Sequence, residues 1–343
     1  MGVPQFSGTV FANYRYNTGV HGAGYNSFNF ERAYLTMKDQ LSDRTSLRVT
    51  TDIFDPGSSV SGNDGYVVRL KYAYLQYDYL KGSDWSGVAR GGMIHNVYID
   101  HEENFWPRWI AKTPADMTGI MPSSDLGVGT ILTMPNKFGE IYALVTNGGG
   151  YTVTKDADRF KDYSARITLT PLSSSEGLLK SFDLSGWYYK GAVAGTIPSA
   201  TASPAMDKDR WGIFAGIRDP RLTVGFDYMD SKNESQLTAT TDTSISGRLF
   251  SGFIVARPFQ WINSASTSPL GIVLRYDQIK PNTDLSPSYS VYIAGLTYDL
   301  SKKASISLDY QEQSSSNPTT LPVASQALLA AAKGVYMHML VNF

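Results

Sequence analysis

The chain has no cysteine, only four histidines, and no run approaching the ~18 apolar residues that a membrane helix needs. The first absence rules out a disulfide framework and thiolate metal sites, and it is compatible with export. Charge bias is missing too. Thirty Lys and Arg face 31 Asp and Glu, for a net charge of −1, so there is no strongly basic face and no nucleic-acid partner is expected. Mean hydropathy is −0.21, so bulk hydrophobicity is absent as well. Catalytic signatures are lacking: His21, His95, His101 and His338 never form His-Glu-x-x-His, and no base stands visibly beside a nucleophile. His101-Glu102-Glu103 reads as a solvated loop, and His338 as a lumen or interface residue. The acidic loop Asp55–Asp64 has no EF-hand spacing. These readings predict no enzyme, no cofactor and no metal.

Tyrosine (22), glycine (31) and 13% aromatic residues are plentiful, which suits aromatic girdles and tight turns. The segment Gly334–Phe343 alternates, placing Val335, Met337, Met339, Val341 and Phe343 on one face of a strand. An apolar edge ending in Phe is costly in water and natural in lipid. It resembles the closing strand of bacterial outer-membrane β-barrels. Such barrels escape hydropathy analysis because only every second residue meets lipid. Residues 5–16 behave alike: Phe6, Val10, Ala12, Tyr14 and Tyr16 oppose Ser7, Thr9, Asn13 and Arg15. At Tyr66–Tyr79 the parity is broken, since Arg69 and Lys71 share a face with Ala73, Leu75 and Tyr77; a bulge or a wide polar rim would resolve it. Further strands are predicted to the chain end, about sixteen in all.

The connections between them sort by length. Those at 17–25, 55–65, 99–124, 148–161, 191–207, 231–244, 278–287 and 314–333 are long, and the intervening ones are mostly short. This is the asymmetry of long extracellular loops and short periplasmic turns. The expected fold is therefore all-β, a transmembrane antiparallel up-and-down barrel forming a single domain over 1–343. No signal peptide precedes the first strand, so the sequence reads as a mature chain. A short helix or a strand extension is expected at Leu321–Lys333.

Arg90-Gly91-Gly92-Met93-Ile94-His95, the loop ending Pro122-Ser123-Ser124-Asp125-Leu126-Gly127-Val128, and Thr146-Asn147-Gly148 together resemble the phosphate-selective porin O/P family. Phe30-Glu31-Arg32-Ala33-Tyr34-Leu35 resembles that family's second strand. The resemblance covers roughly the first half of the chain. It implies a sixteen-stranded trimeric barrel whose third extracellular loop folds inward and narrows the pore. Phosphate specificity does not carry over, because the family's dense basic cluster is not matched residue by residue.

Within 99–124, Phe105, Trp106 and Trp109 would not sit together on an exposed loop. The loop is expected to fold against the inner wall, constricting the pore with Arg108 and Lys112 facing Glu102, Glu103 and Asp116, or else to pack at a subunit interface. Water-facing positions on the strands include Arg15, Arg32, Lys38, Arg48, Arg166, Arg210, Arg218, Arg221, Arg248, Arg275 and Lys303. Fewer acids share those faces: Asp52, Asp183, Asp227, Asp277 and Asp309. The expected function is a porin with a mild anion preference, extending to phosphate at most. Its expected partners are outer-membrane lipid, lipopolysaccharide, two further copies of itself in a homotrimer, and small anionic or neutral solutes. The alternative is a closed-lumen barrel that scaffolds surface proteins.

Overall fold

The alternating segments form sixteen antiparallel strands, each paired with its neighbours in chain order and closed first to last. They are β1 (Gln5–Asn17), β2 (Asn26–Gln40), β3 (Thr45–Phe54), β4 (Val67–Lys81), β5 (Ser86–His95), β6 (Ser124–Thr133), β7 (Gly139–Thr146), β8 (Asp162–Leu169), β9 (Phe182–Ala194), β10 (Ala205–Asp219), β11 (Leu222–Gln236), β12 (Asp242–Ala256), β13 (Leu270–Lys280), β14 (Tyr289–Ser301), β15 (Ala304–Ser315) and β16 (Lys333–Asn342). The computed structural model describes all residues except 1–2, 20–21, 57–64, 83, 154, 157, 195–204, 237–241, 264–266, 286–287 and 317–332. His21, most of the acidic loop Asp55–Asp64 and all but Lys333 of the segment Leu321–Lys333, expected as a short helix or a strand extension, lie outside the described residues.

Closure removes the sheet edges that water or lipid would otherwise leave unsatisfied. β1 meets β16 from Thr9–Asn342 to Asn17–Gly334. Gly8 and Phe343 then exchange both backbone hydrogen bonds at 3.0 Å, and the Phe343 ring lies over Gly8, where a Cβ would clash. Outward positions carry Phe6, Phe28, Val68, Val128, Tyr163 and Leu308, all well exposed. Such a belt suits only a hydrocarbon surrounding. Strand ends at 17/26, 54/67, 95/124 and 146/162 open the longer connections, whereas 40/45, 219/222 and 301/304 are tight turns.

The broken parity of β4 resolves as a bulge. Thr50 pairs with Tyr72 while Thr51 pairs with Leu70, so Lys71 is the extra residue. Arg69, Lys71 and Tyr72 thus all reach the inner side, and Val68 and Leu70 stay out. A second bulge in β2 pairs Phe11 with Arg32 and Ala12 with Phe30. Its extra residue, Glu31, turns inward beside Arg32.

Candidate pore constriction

The connection 96–123 between β5 and β6 folds into the bore. Its neck is closed by the Asn96 N–H donating to Ser123 O at 3.0 Å. Within it, α1 (Ile99–Glu102) is followed by α2 (Pro114–Thr118). The sequence dictates α2 locally: Thr113 Oγ1 accepts from Asp116 N, Pro114 presets the first turn, and Gly119 ends it at φ 66°. Trp106 Nε1 donates to Ala111 O at 2.8 Å, which rounds off the loop tip.

What draws the loop inward is an apolar inner wall on β10–β14. Phe214, Met229, Leu249, Phe253, Val273 and Ile293 occupy inward positions and are nearly or fully buried. Phe105 packs 4.6 Å from Phe214, and Trp106 lies 5.5 Å from Phe253, ring centre to ring centre. Burying one such ring is worth about 1.5–3 kcal/mol, enough to fix the loop once several are engaged.

Wall side chains then hold the loop's backbone. Arg166 Nε donates to Val97 O at 2.7 Å, Arg275 to Lys112 O at 2.5 Å, and Arg218 to Asn104 O at 3.4 Å. Arg210 donates to Ile120 O, and Gln311 to Ile110 O at 3.1 Å. Loop carbonyls that would be orphaned inside a barrel are thereby satisfied. Arg166 also meets Glu140 at 2.6 Å, and Arg275 meets Asp277 at 2.6 Å.

The five expected constriction residues separate. Glu102 does not face the pore: it is fully buried, with Oε2 accepting from Ala115 N at 3.3 Å. Arg108 does not oppose the loop acids across a gap but sits among them, 3.2 Å from Glu31, 3.5 Å from Asp116 and 3.8 Å from Glu103. One guanidinium between three carboxylates leaves this edge acidic. It faces Lys71 on β4, whose charge acts on Glu103 and Asp100. Lys112 alone is exposed.

Of the expected wall cations, Arg32 and Arg69 converge on buried Asp52, and Arg15 lies over the Tyr336 ring. Lys38, Arg48 and Arg90 have no carboxylate in ion-pair contact among the described residues. Arg48 instead meets His95 at 3.1 Å, and Arg90 donates to Gln76 at 2.9 Å. Lys38 stands directly opposite Arg48 in the β2–β3 register.

Three expected positions are corrected. Arg221 lies in the turn after β10, paired with Asp219 at 2.8 Å. Lys303 lies in the turn before β15. Arg248 stands on the outward face of β12, paired with Asp230 and 5.8 Å from the Tyr228 ring. There it keeps its charge at the aromatic girdle.

His101 is not solvated. Arg166 donates to its Nδ1 at 2.7 Å, while Nε2 lies 3.0 Å from Ser185 and 3.2 Å from Asp183, the geometry of a neutral ring protonated on Nε2. Burial, with Arg166 close by, lowers its pKa. His338 lies inside the bore, 3.5 Å from Asp309. Glu31, Arg69, Lys71, Arg90 and Asp100 were not among the pore residues expected from the sequence; the bulge at Lys71 shows there only as a parity fault, and the one at Glu31 was not expected.

Burial raises the Glu102 carboxyl to about 8, against the opposing pull of Thr113, Arg275 and the Ala115 N–H. The folded loop therefore holds this proton where an unfolded chain has lost it, and stability falls as pH rises from about 4.5 toward 8. Between pH 5 and 7.5 the loss amounts to roughly 3 kcal/mol. Thermal unfolding of Glu102→Gln should lose this slope; an unchanged slope would place the titrating group elsewhere.

No family model and no curated protein matches the sequence. In three dimensions the chain is similar to an anion-selective porin from Comamonas acidovorans, with TM-score 0.67, 12% identity and 99% of each chain covered. It is also similar to OmpF of Salmonella typhi in complex with daunomycin, with TM-score 0.66, 11% identity, and 99% and 97% covered. A third likeness is to the outer membrane channel DcaP of Acinetobacter baumannii, with TM-score 0.62, 12% identity, and 99% and 97% covered. At such identities the likeness establishes the fold: this chain is a sixteen-stranded barrel of the porin type.

Proposed function

We propose that the protein is an outer-membrane porin, a passive channel for small hydrophilic solutes with a mild preference for anions. The channel reading is supported by an inward loop that leaves a cavity of about 490 Å³ on the long-loop side and one of about 580 Å³ on the short-turn side. The ion preference rests on one observation, Lys38 directly opposite Arg48, with Arg90 lining the same cavity as Arg48 and no carboxylate in ion-pair contact with any of the three among the described residues. Like charges directly opposite on neighbouring strands cost stability, so a barrel gains from them only if anions visit. Guanidinium stays charged at any working pH. Phosphate specificity is not part of the reading, because most other bore cations are paired with acids or with loop carbonyls.

In a planar bilayer at low salt, the reversal potential across a KCl gradient should show chloride favoured over potassium. Replacing Lys38, Arg48 and Arg90 together by Gln should abolish the preference. Cation selectivity in the unaltered protein would overturn it. One observation favours a closed scaffold barrel instead: Arg108 ties the loop to β2 across the bore. Correctly folded protein that gives no conductance steps would decide for that reading.

A further inference from the structure

The cavity on the long-loop side has a composition that a path for inorganic ions does not require. Its floor is the stretch Met117 to Ile120 at the end of α2. Inward positions Met229, Leu249 and Ile279 on three successive strands give it an apolar wall. Arg210 on β10 and Asn233 on β11 stand beside this wall, Arg248 and Lys280 also line the cavity, and no carboxylate does.

Arg210 is held in place rather than waving. It donates to Asn233 Oδ1 at 2.9 Å and to Ile120 O, and its guanidinium lies 5.3 Å from the centre of the Tyr189 ring. With Nε also on Asn233 Oδ1, three of its five N–H donors are used and two remain. No carboxylate pairs with it among the described residues.

A fixed cation beside methionine, leucine and isoleucine, in a hollow of about 490 Å³, matches the mixed lining of small-molecule pockets. Apolar side chains there contribute nothing to the passage of chloride. They stabilise a solute that brings its own apolar part.

We propose that this cavity is a capture site for small amphipathic carboxylates, holding the carboxylate on Arg210 and the hydrocarbon part against Met229, Leu249 and Ile279. The inference rests on the porin reading only in that such a solute arrives through the long-loop mouth; the cavity itself does not depend on conduction.

The test uses full-length protein in phosphatidylcholine nanodiscs, titrated calorimetrically with hexanoate, benzoate and acetate. Hexanoate and benzoate should bind at least about ten-fold more tightly than acetate, the factor that a single well-buried methylene already provides. Ile279→Asp should remove that margin by putting a carboxylate on the apolar wall, and Arg210→Gln should weaken all three ligands. Lys303→Gln, in the short turn before β15, should change nothing.

Equal affinity for acetate and hexanoate would overturn the proposal, as would hexanoate binding that survives Ile279→Asp or is lost with Lys303→Gln. If Ile279→Asp fails to fold, Ile279→Asn serves in its place with the same expected loss. Conductance is measured separately on the same preparation. Binding without conductance would sink the porin reading and leave the site, whereas conductance without selective binding would sink the site and leave the porin.

Discussion

Deleting residues 103–115 raises single-channel conductance at least about twofold, because this segment is what obstructs the bore. The deletion removes Phe105, Trp106 and Ile110, which sit on the inner wall, and the Arg108 tie to Glu31. It also strips the wall's covering, so Phe214, Phe253 and Val273 meet water. The same variant should therefore unfold at a lower temperature while its open level grows and its closures multiply. Trp106→Ala separates the two effects: it costs about 3–5 kcal/mol of local packing but leaves the backbone across the pore, so the stability loss should appear with little rise in conductance. A deletion that leaves conductance unchanged would place the narrowest point away from the loop.

Strand placement was legible because lipid on one side and water on the other impose a period of two, which Ser7–Tyr16 and Val335–Phe343 display except at Phe11 and Leu340, apolar residues paired with each other on the inward face. Even the fault at Arg69 and Lys71 carried information, since one extra residue at Lys71 restores both halves of β4 to register. Three large aromatic rings in one loop showed that 99–124 must be buried, against the inner wall or at a subunit interface. The loop's destination was not legible. β12 has apolar residues on both faces, Leu249 and Phe253 inward and Phe250 and Ile254 outward, so parity could not reveal the apolar wall and misplaced Arg248. The roles of the charges were hidden for another reason. Arg108 looked like one pole of a field, but it lies among Glu103 and Asp116 of its own loop and Glu31, which comes from β2 and was not visible as a partner. Likewise, a list of basic residues does not distinguish an arginine that faces solute from one that caps a loop carbonyl.

Arg275 shows the consequence of that second role. Its guanidinium and the Asp277 carboxylate are both wholly buried and 2.6 Å apart. Nε lies 2.9 Å from each carboxylate oxygen, and the group stacks 4.9 Å from the centre of Trp106. It also donates to Lys112 O at 2.5 Å, and Ser251 donates to Asp277 at 2.6 Å. Arg275→Met keeps much of the volume but leaves Asp277 buried without its cation, a loss of about 3–5 kcal/mol. The same change frees the loop carbonyl and removes the partner of Trp106. The variant should melt earlier, and its current should flicker as the loop leaves the wall. Asp277→Leu added to Arg275→Met removes the stranded charge, so it should recover most of the stability, because a buried pair replaced whole by apolar groups costs little. It should not recover a steady current, since Lys112 O still lacks its donor. Recovery of both together would mean that Arg275 acts only through Asp277; recovery of neither would mean that its own contacts with Lys112 O and Trp106 carry the stability, and a steady current in Arg275→Met itself would mean that the loop is held elsewhere, by Arg166, Arg210 and Gln311.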